Sequence, residues 1–180
     1  QRQMCIRDRM KLDLITNKND EWMTPKYAVE PIIDFIKEGS IVWCPFDTEK
    51  SFYVKLLEER GFNVIRGHIK EGKDFFNYEP DHYDYIISNP PYSLKNEVFD
   101  RLFKLNKPFG MLVGVVGIFE SKKRFDLFKN NNFEIMYFDK RISFCKDYDE
   151  KPTLNPPFSS VYICRYMLDD KIIFRNINKK

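Results

Sequence analysis

The chain has 180 residues, 43% hydrophobic and 16% aromatic, with 30 Lys+Arg against 27 Asp+Glu and a net charge of +3. That length suits one domain with a dense core. The near balance of charge excludes a strongly polycationic binder, and no apolar run approaches the ~18 residues of a membrane-spanning helix. The first nine residues, QRQMCIRDR, resemble the translation of a transposase adapter end used in sequencing-library preparation. Residues 1–9 are therefore set aside, with a natural start expected at Met10. Three arginines and one aspartate fewer leave 27 Lys+Arg and 26 Asp+Glu, net +1. Any affinity for nucleic acid must then come from local patches. Cys44, Cys145 and Cys164 remain, none in a CxxC pair, and read as buried reduced thiols. Without a signal peptide the expected location is the cytoplasm.

Residues 10–22 are polar and expected to be loosely ordered. Thr24-Pro25 opens a helix, with Thr24 as N-cap and Pro25 at the first helical position. Val29, Ile32, Ile33 and Ile36 follow at helical spacing, and Gly39 ends the run. A strand is expected over 41–46, a helix over 48–60, a strand over 63–69 and a third over 83–89. The charged connection 70–76 ends in Asp74-Phe75-Phe76. A helix over 94–105 precedes 110–118, which is apolar enough for a strand buried on both faces. A helix over 122–130 and a strand over 133–139 lead into a loop of about 20 residues, long by the standard of ordinary connections. The strand 159–167 follows, then a basic tail, 169–180, that either pairs at an edge or frays. Strand and helix alternate throughout, which argues for one α/β domain over 23–168, with a mostly parallel sheet covered by helices on both faces.

Ligands of open α/β sheets bind outside the carboxyl ends of the strands. Three such ends carry unusual chemistry: Cys44-Pro45-Phe46-Asp47-Thr48, His68, and Asn89-Pro90-Pro91-Tyr92. In the last, the Asn89 amide oxygen and the Pro90 carbonyl offer two acceptors beside the flat Tyr92 ring, on a backbone stiffened by Pro90 and Pro91. That suits a planar group bearing an NH2. A second copy of the pattern, Asn155-Pro156-Pro157-Phe158, precedes a strand instead of following one. It reads as a turn on the wrong edge of the sheet, or in a loop over it.

SNPPY (88–92) after an apolar strand resembles the catalytic motif of S-adenosylmethionine-dependent amino-methyltransferases. DEWMTP (20–25), WCPFDTEKS (43–51), GKDFF (72–76) and FDKRI (138–142), in this order, are similar to segments of small phage-type adenine-N6 DNA methyltransferases. The resemblance implies a Rossmann-like class I methyltransferase sheet whose last strand is antiparallel, and S-adenosyl-L-methionine as cofactor. It further implies that Asn89 and Pro90 accept hydrogen bonds from the target amine while Tyr92 stacks on a base flipped out of the duplex. By the same resemblance Thr24-Pro25 closes over the methionine part of the cofactor. Pro45, Phe46, Asp47 and Thr48 form its loop, with Asp47 taking the amino group. Asp74 and Phe75 hold the adenine, and His68 stands at the ribose. The loop lacks the family's glycines, and the acid expected after the second strand is absent, which puts cofactor affinity in question but not the fold.

Lys122-Lys123-Arg124, Lys140-Arg141 and the tail pair Lys179-Lys180 are candidate phosphate contacts, with Lys140 and Arg141 first because they follow a strand end. DNA is the expected partner and a monomer the expected state. RNA adenine, a protein glutamine, or a module that has lost its cofactor remain open as alternatives. No metal site is expected: only His68 and His82 exist, without a carboxylate cluster. No Pro-Cys nucleophile exists for covalent transfer to carbon.

Overall fold

The computed structural model describes residues 22–148 and 151–179; the expectations for residues 1–9 and for most of 10–22 lie outside them. The elements in chain order are α1 (Lys26–Ile33), β1 (Ile41–Cys44), α2 (Phe52–Glu59), β2 (Asn63–Arg66), β3 (Tyr85–Ser88), α3 (Lys95–Leu105), β4 (Phe109–Gly114), α4 (Lys122–Lys129), β5 (Glu134–Phe138), β6 (Ser160–Arg165) and β7 (Ile172–Arg175). The seven strands form one sheet in the order β2-β1-β3-β4-β6-β5-β7. All neighbours are parallel except those of β6, which runs antiparallel to both β4 and β5. This is a Rossmann-like, mostly parallel α/β sheet. The tail pairs: β7 lies parallel to β5 along the sheet edge. The Asp139 carboxylate helps to hold it there by accepting the Ile177 N–H at 2.9 Å.

Helices cover both faces. On one, Ala28, Val29, Ile32 and Ile33 of α1 and Val54 and Leu57 of α2 pack on Val42, Cys44, Ile87, Leu112 and Tyr162. On the other, Val98, Phe99 and Leu102 of α3 and Phe128 of α4 pack on Trp43, Ile86, Met111, Val113 and Ile163. Strand residues alternate between the two clusters, as pleating requires. All six residues of β4 and of β6 are buried, because these central strands are covered on both sides. α1 approaches β4 closely at Gly110, where an added Cβ would come within 3.1 Å of Ile32 Cγ1. Glycine there lets the helix, and the Trp22–Pro25 segment ahead of it, settle onto the sheet. Cys44, Cys145 and Cys164 are buried and unbridged.

Several boundaries differ from the sequence reading. The run 110–118 leaves the sheet after Gly114, and Val115–Ile118 form turns that bring the chain to α4. The second helix starts at Phe52, capped by the Ser51 hydroxyl accepting from Tyr53 N–H, so Thr48 stays in the loop before it. Thr24 does not cap α1. The N-cap position is Pro25, which makes no side-chain cap bond, and Thr24 is buried just ahead of it.

Candidate active site

Six parallel strands deliver their carboxyl ends to one edge of the sheet, and antiparallel β6 brings its amino end to the same edge. There, a cavity of about 420 Å³ lies between the turn after β1 and the turn after β3. The first contributes Pro45, Phe46, Asp47 and Thr48, and the second Asn89 and Pro91. His68, Asp74 and Phe75 complete the set of predicted residues on its wall. The volume falls within the range of small-ligand and cofactor sites. Aromatic side chains form one wall. Phe46 and Phe75 have ring centroids 4.9 Å apart, and Phe75 rests on Trp43 at 5.4 Å.

The loop after β1 contains no glycine and holds its shape by hydrogen bonding. Asp47 N–H donates to Gly67 O at 3.1 Å, and Gly67 N–H to Cys44 O at 2.9 Å, tying the β1 and β2 tips together. The Asp47 carboxylate, 5% exposed, accepts from Ser51 Oγ at 2.5 Å and from Ser88 Oγ. Ser88 is the last residue of β3, so one buried acid joins the loop, the α2 cap and the strand that carries Asn89. Burial raises the Asp47 pKa to about 6, and the two serine bonds offset only part of that.

Asn89 is held just as specifically. Its Nδ2 donates to Trp22 O at 2.8 Å, while its Oδ1 is buried and makes no hydrogen bond. The bond to Trp22 fixes which way the amide faces and leaves the acceptor uncommitted. A buried acceptor without a donor costs roughly 1–3 kcal/mol, and because Asn89 lines the cavity a ligand there could supply the donor. Asp74 also retains capacity. Its oxygens accept from Phe76 N–H at 3.1 Å and Asn77 Nδ2 at 2.7 Å, out of about four lone-pair positions. His68 lines the cavity, with Nδ1 engaged by the Lys70 N–H at 3.1 Å.

Beside Asn89 stands a group of rings. Trp22 lies near-parallel to Tyr92 with centroids 6.5 Å apart, and Phe158 meets Tyr92 edge-on at 5.9 Å and Trp22 at 6.5 Å. Phe158 belongs to the second Asn-Pro-Pro copy, which leads into β6 as expected; of the two placements expected for it, the wrong edge is overturned. Because β6 is antiparallel, the residues that enter it lie at the carboxyl edge of the others. Its Asn155 is nevertheless unlike Asn89: Oδ1 accepts from Ser143 Oγ at 2.6 Å and Nδ2 donates to Thr153 O at 3.2 Å.

Gly114 makes room for Phe158; an added Cβ would lie 2.8 Å from two atoms of the ring. Gly114→Ala is expected to push this half-buried ring off Tyr92 and Trp22 at a stability cost of about 1 kcal/mol. Thermal melting reads the cost, and tryptophan emission reads the new exposure of Trp22; unchanged emission would mean that the ring does not move.

The sequence reading missed the cover of this cavity. Lys146, Asp147 and Tyr148 line it from the loop after β5. That loop is pinned to the N-terminal segment by the Met23–Cys145 bridge, with Cys145 N–H to Met23 O at 2.9 Å. Tyr148 packs edge-on against Phe52 at 5.4 Å. Thr24 and Pro25 sit behind Trp22 and Met23, and it is these two that face the cavity. Arg141 lines a separate recess, and Lys140 reaches Asp139 Oδ2 at 3.2 Å and Ile177 O at 3.3 Å.

No protein-family profile and no curated protein matches the chain. Among solved structures, it is similar to one described as "Structure of a putative methyltransferase from Thermoplasma acidophilum". The two share 11% identity over 86% of this chain and 69% of that one, with a TM-score of 0.40. A likeness of that degree carries no argument about the reaction, which has to come from the site itself.

Proposed function

We propose that this protein transfers the methyl group of S-adenosylmethionine to the exocyclic N6 amine of adenine in DNA. The observation that carries the reading is the buried, unpartnered Asn89 Oδ1 at the lip of a cofactor-sized cavity, with its amide orientation set by Trp22 O. The donor set fits the cofactor: a buried carboxylate for its ammonium (Asp47), an acceptor and an aromatic ring for its adenine (Asp74, Phe75), and further polar reach at Thr48 and His68. When bound, the cofactor supplies a methyl group already activated as a sulfonium.

The chain's own work is then placement. Asn89 Oδ1 and the Pro90 carbonyl accept hydrogen bonds from the target amine, favour a tetrahedral nitrogen and stabilise the positive charge that grows on it. Tyr92, with Trp22 and Phe158 beside it, gives the extruded base a stacking surface, which offsets part of the few kcal/mol of flipping. The rings and the cover formed by Lys146–Tyr148 exclude water from the acceptor.

The decisive experiment combines calorimetry with S-adenosylmethionine and transfer from labelled cofactor to unmodified DNA, read as N6-methyladenine. Binding together with N6-methyladenine is the expected result. Cofactor binding with no transfer to DNA overturns the substrate, and transfer to RNA or to a glutamine peptide alone would reassign it. The absence of cofactor binding at millimolar concentration overturns the enzyme reading altogether.

A further inference from the structure

A second recess, of about 480 Å³, opens at the same sheet edge beyond Phe158 and is lined by Arg141, Ile142, Asn155, Pro156 and Lys179. Its polar wall is built. Lys179 Nζ donates to Ser143 Oγ at 3.1 Å and stands 6.0 Å from the Tyr27 ring centroid. Ser143 Oγ donates onward to Asn155 Oδ1 at 2.6 Å, and the Ser143 backbone is locked by Tyr27 Oη, donating to its carbonyl at 3.0 Å and accepting from its N–H at 2.9 Å. The ammonium is therefore pre-positioned by a buried serine and a buried tyrosine.

Charge at the recess is one-sided. Arg141 is exposed, and no carboxylate pairs with it or with Lys179 among the described residues. The nearby acid Asp139 is spent on Lys140 at 3.2 Å and on the Ile177 N–H. An oxyanion bridging a guanidinium and a fixed ammonium is the complement of such a notch. From Asn155 to Phe158 the chain can extend at most about 10 Å, and Tyr92 stands 5.9 Å beyond, together roughly the rise of five nucleotides along one strand.

We infer that Arg141 and Lys179 form a backbone-phosphate site that grips the DNA strand within about five nucleotides of the base held at Tyr92. This rests on the function proposed above. The site anchors the strand without reading its sequence, since phosphate contacts fix register and carry no base information. It also gives the Asn155-Pro156-Pro157-Phe158 segment one job at each end: the notch wall at Asn155-Pro156 and the ring against Tyr92 at Phe158.

The test is fluorescence anisotropy of a labelled DNA duplex titrated with the full chain over a salt series. Arg141→Gln, Lys179→Gln and the double variant are compared with a charge-matched control, Lys37→Gln with Lys171→Gln. The control residues precede β1 and β7 and so lie at the opposite, amino edge. The double variant is expected to flatten the dependence of log affinity on log salt by about 0.9, the value of one neutralised phosphate, and to lose on the order of tenfold in affinity at 0.1 M salt. The control keeps the wild-type slope, and cofactor affinity by calorimetry is unchanged in every variant. If the notch variant and the control behave alike while wild type still methylates DNA, this inference falls and the function stands. If wild type binds no DNA, both fall. Should Lys179→Gln lower the melting temperature, Arg141→Gln alone decides, and an unchanged slope overturns the site.

Discussion

Asn89→Ala is expected to reduce the single-turnover rate of methyl transfer by 10²–10³-fold, about 3–4 kcal/mol, with cofactor affinity held within a few-fold. The size follows from what one pre-positioned polar group contributes where charge develops in a closed site. The direction follows from the structure, since Oδ1 makes no bond within the fold that its removal would break. Losing the Nδ2 bond to Trp22 O frees one backbone carbonyl in a half-buried segment, which costs about 1 kcal/mol of stability and leaves the fold intact. Asn155→Ala is the contrast. Both ends of that amide are engaged inside the protein, so at saturating DNA the rate should stay within a few-fold of wild type while the melting temperature drops. Rapid-quench kinetics at saturating cofactor reads both variants. Equal losses in the two would mean that the Asn-Pro-Pro pattern, and not the free acceptor, matters, and the assignment of Asn89 would fail.

The contrast between the two copies also shows how far the sequence could be read. The β3 tip was legible because an apolar strand running into two prolines can end in only one way, and a parallel sheet then fixes the edge. The copy at 155–158 was misplaced because that inference treats the start of a strand as the far edge. For antiparallel β6 the start is the near edge, and Phe158 arrives beside Tyr92. The cover formed by Lys146, Asp147 and Tyr148 left no sequence signal. Its position depends on the Met23–Cys145 bridge, between residues 122 apart in the chain, and on Phe52 of another helix. The serines were overlooked for a related reason. Ser51 falls inside the helix expected over 48–60 and Ser88 at a strand end, and only the fold brings both hydroxyls to one carboxylate. Lys179 was legible only as part of one of three basic clusters, and it is the parallel pairing of β7 with β5 that carries it back to the site edge.

Asp47→Asn should separate stability from binding. Folding raises the Asp47 pKa from 3.8 to about 6, with desolvation as the main cause. The native state therefore binds more protons than the unfolded chain between about pH 4 and 6, so wild-type stability falls as pH rises through that window and levels above it. The shift corresponds to roughly 3 kcal/mol across the window. An asparagine does not titrate, so the variant should gain on wild type by about 2 kcal/mol between about pH 4.5 and 7.5, whatever offset a reoriented Ser88 hydroxyl adds at every pH. Chemical unfolding at pH 4.5 and 7.5 measures the difference. Cys44, Tyr53, Tyr148 and Tyr162 surround the acid, and burial pushes all four upward, so none of them titrates in this range. A carboxylate that destabilises the fold at neutral pH invites a functional reason, and a cationic amino group in the adjoining cavity supplies one. The variant should then bind S-adenosylmethionine 10–100-fold more weakly at pH 7.5, about 1.5–3 kcal/mol for a hydrogen bond to a charged group. Wild-type affinity should fall as the acid is protonated below pH 6, whereas that of the variant stays flat. Calorimetry at the two pH values reads this directly. Wild-type affinity in the variant would make Asp47 a joint between β1, α2 and β3 and nothing more, and the cofactor ammonium would need another partner on the cavity wall.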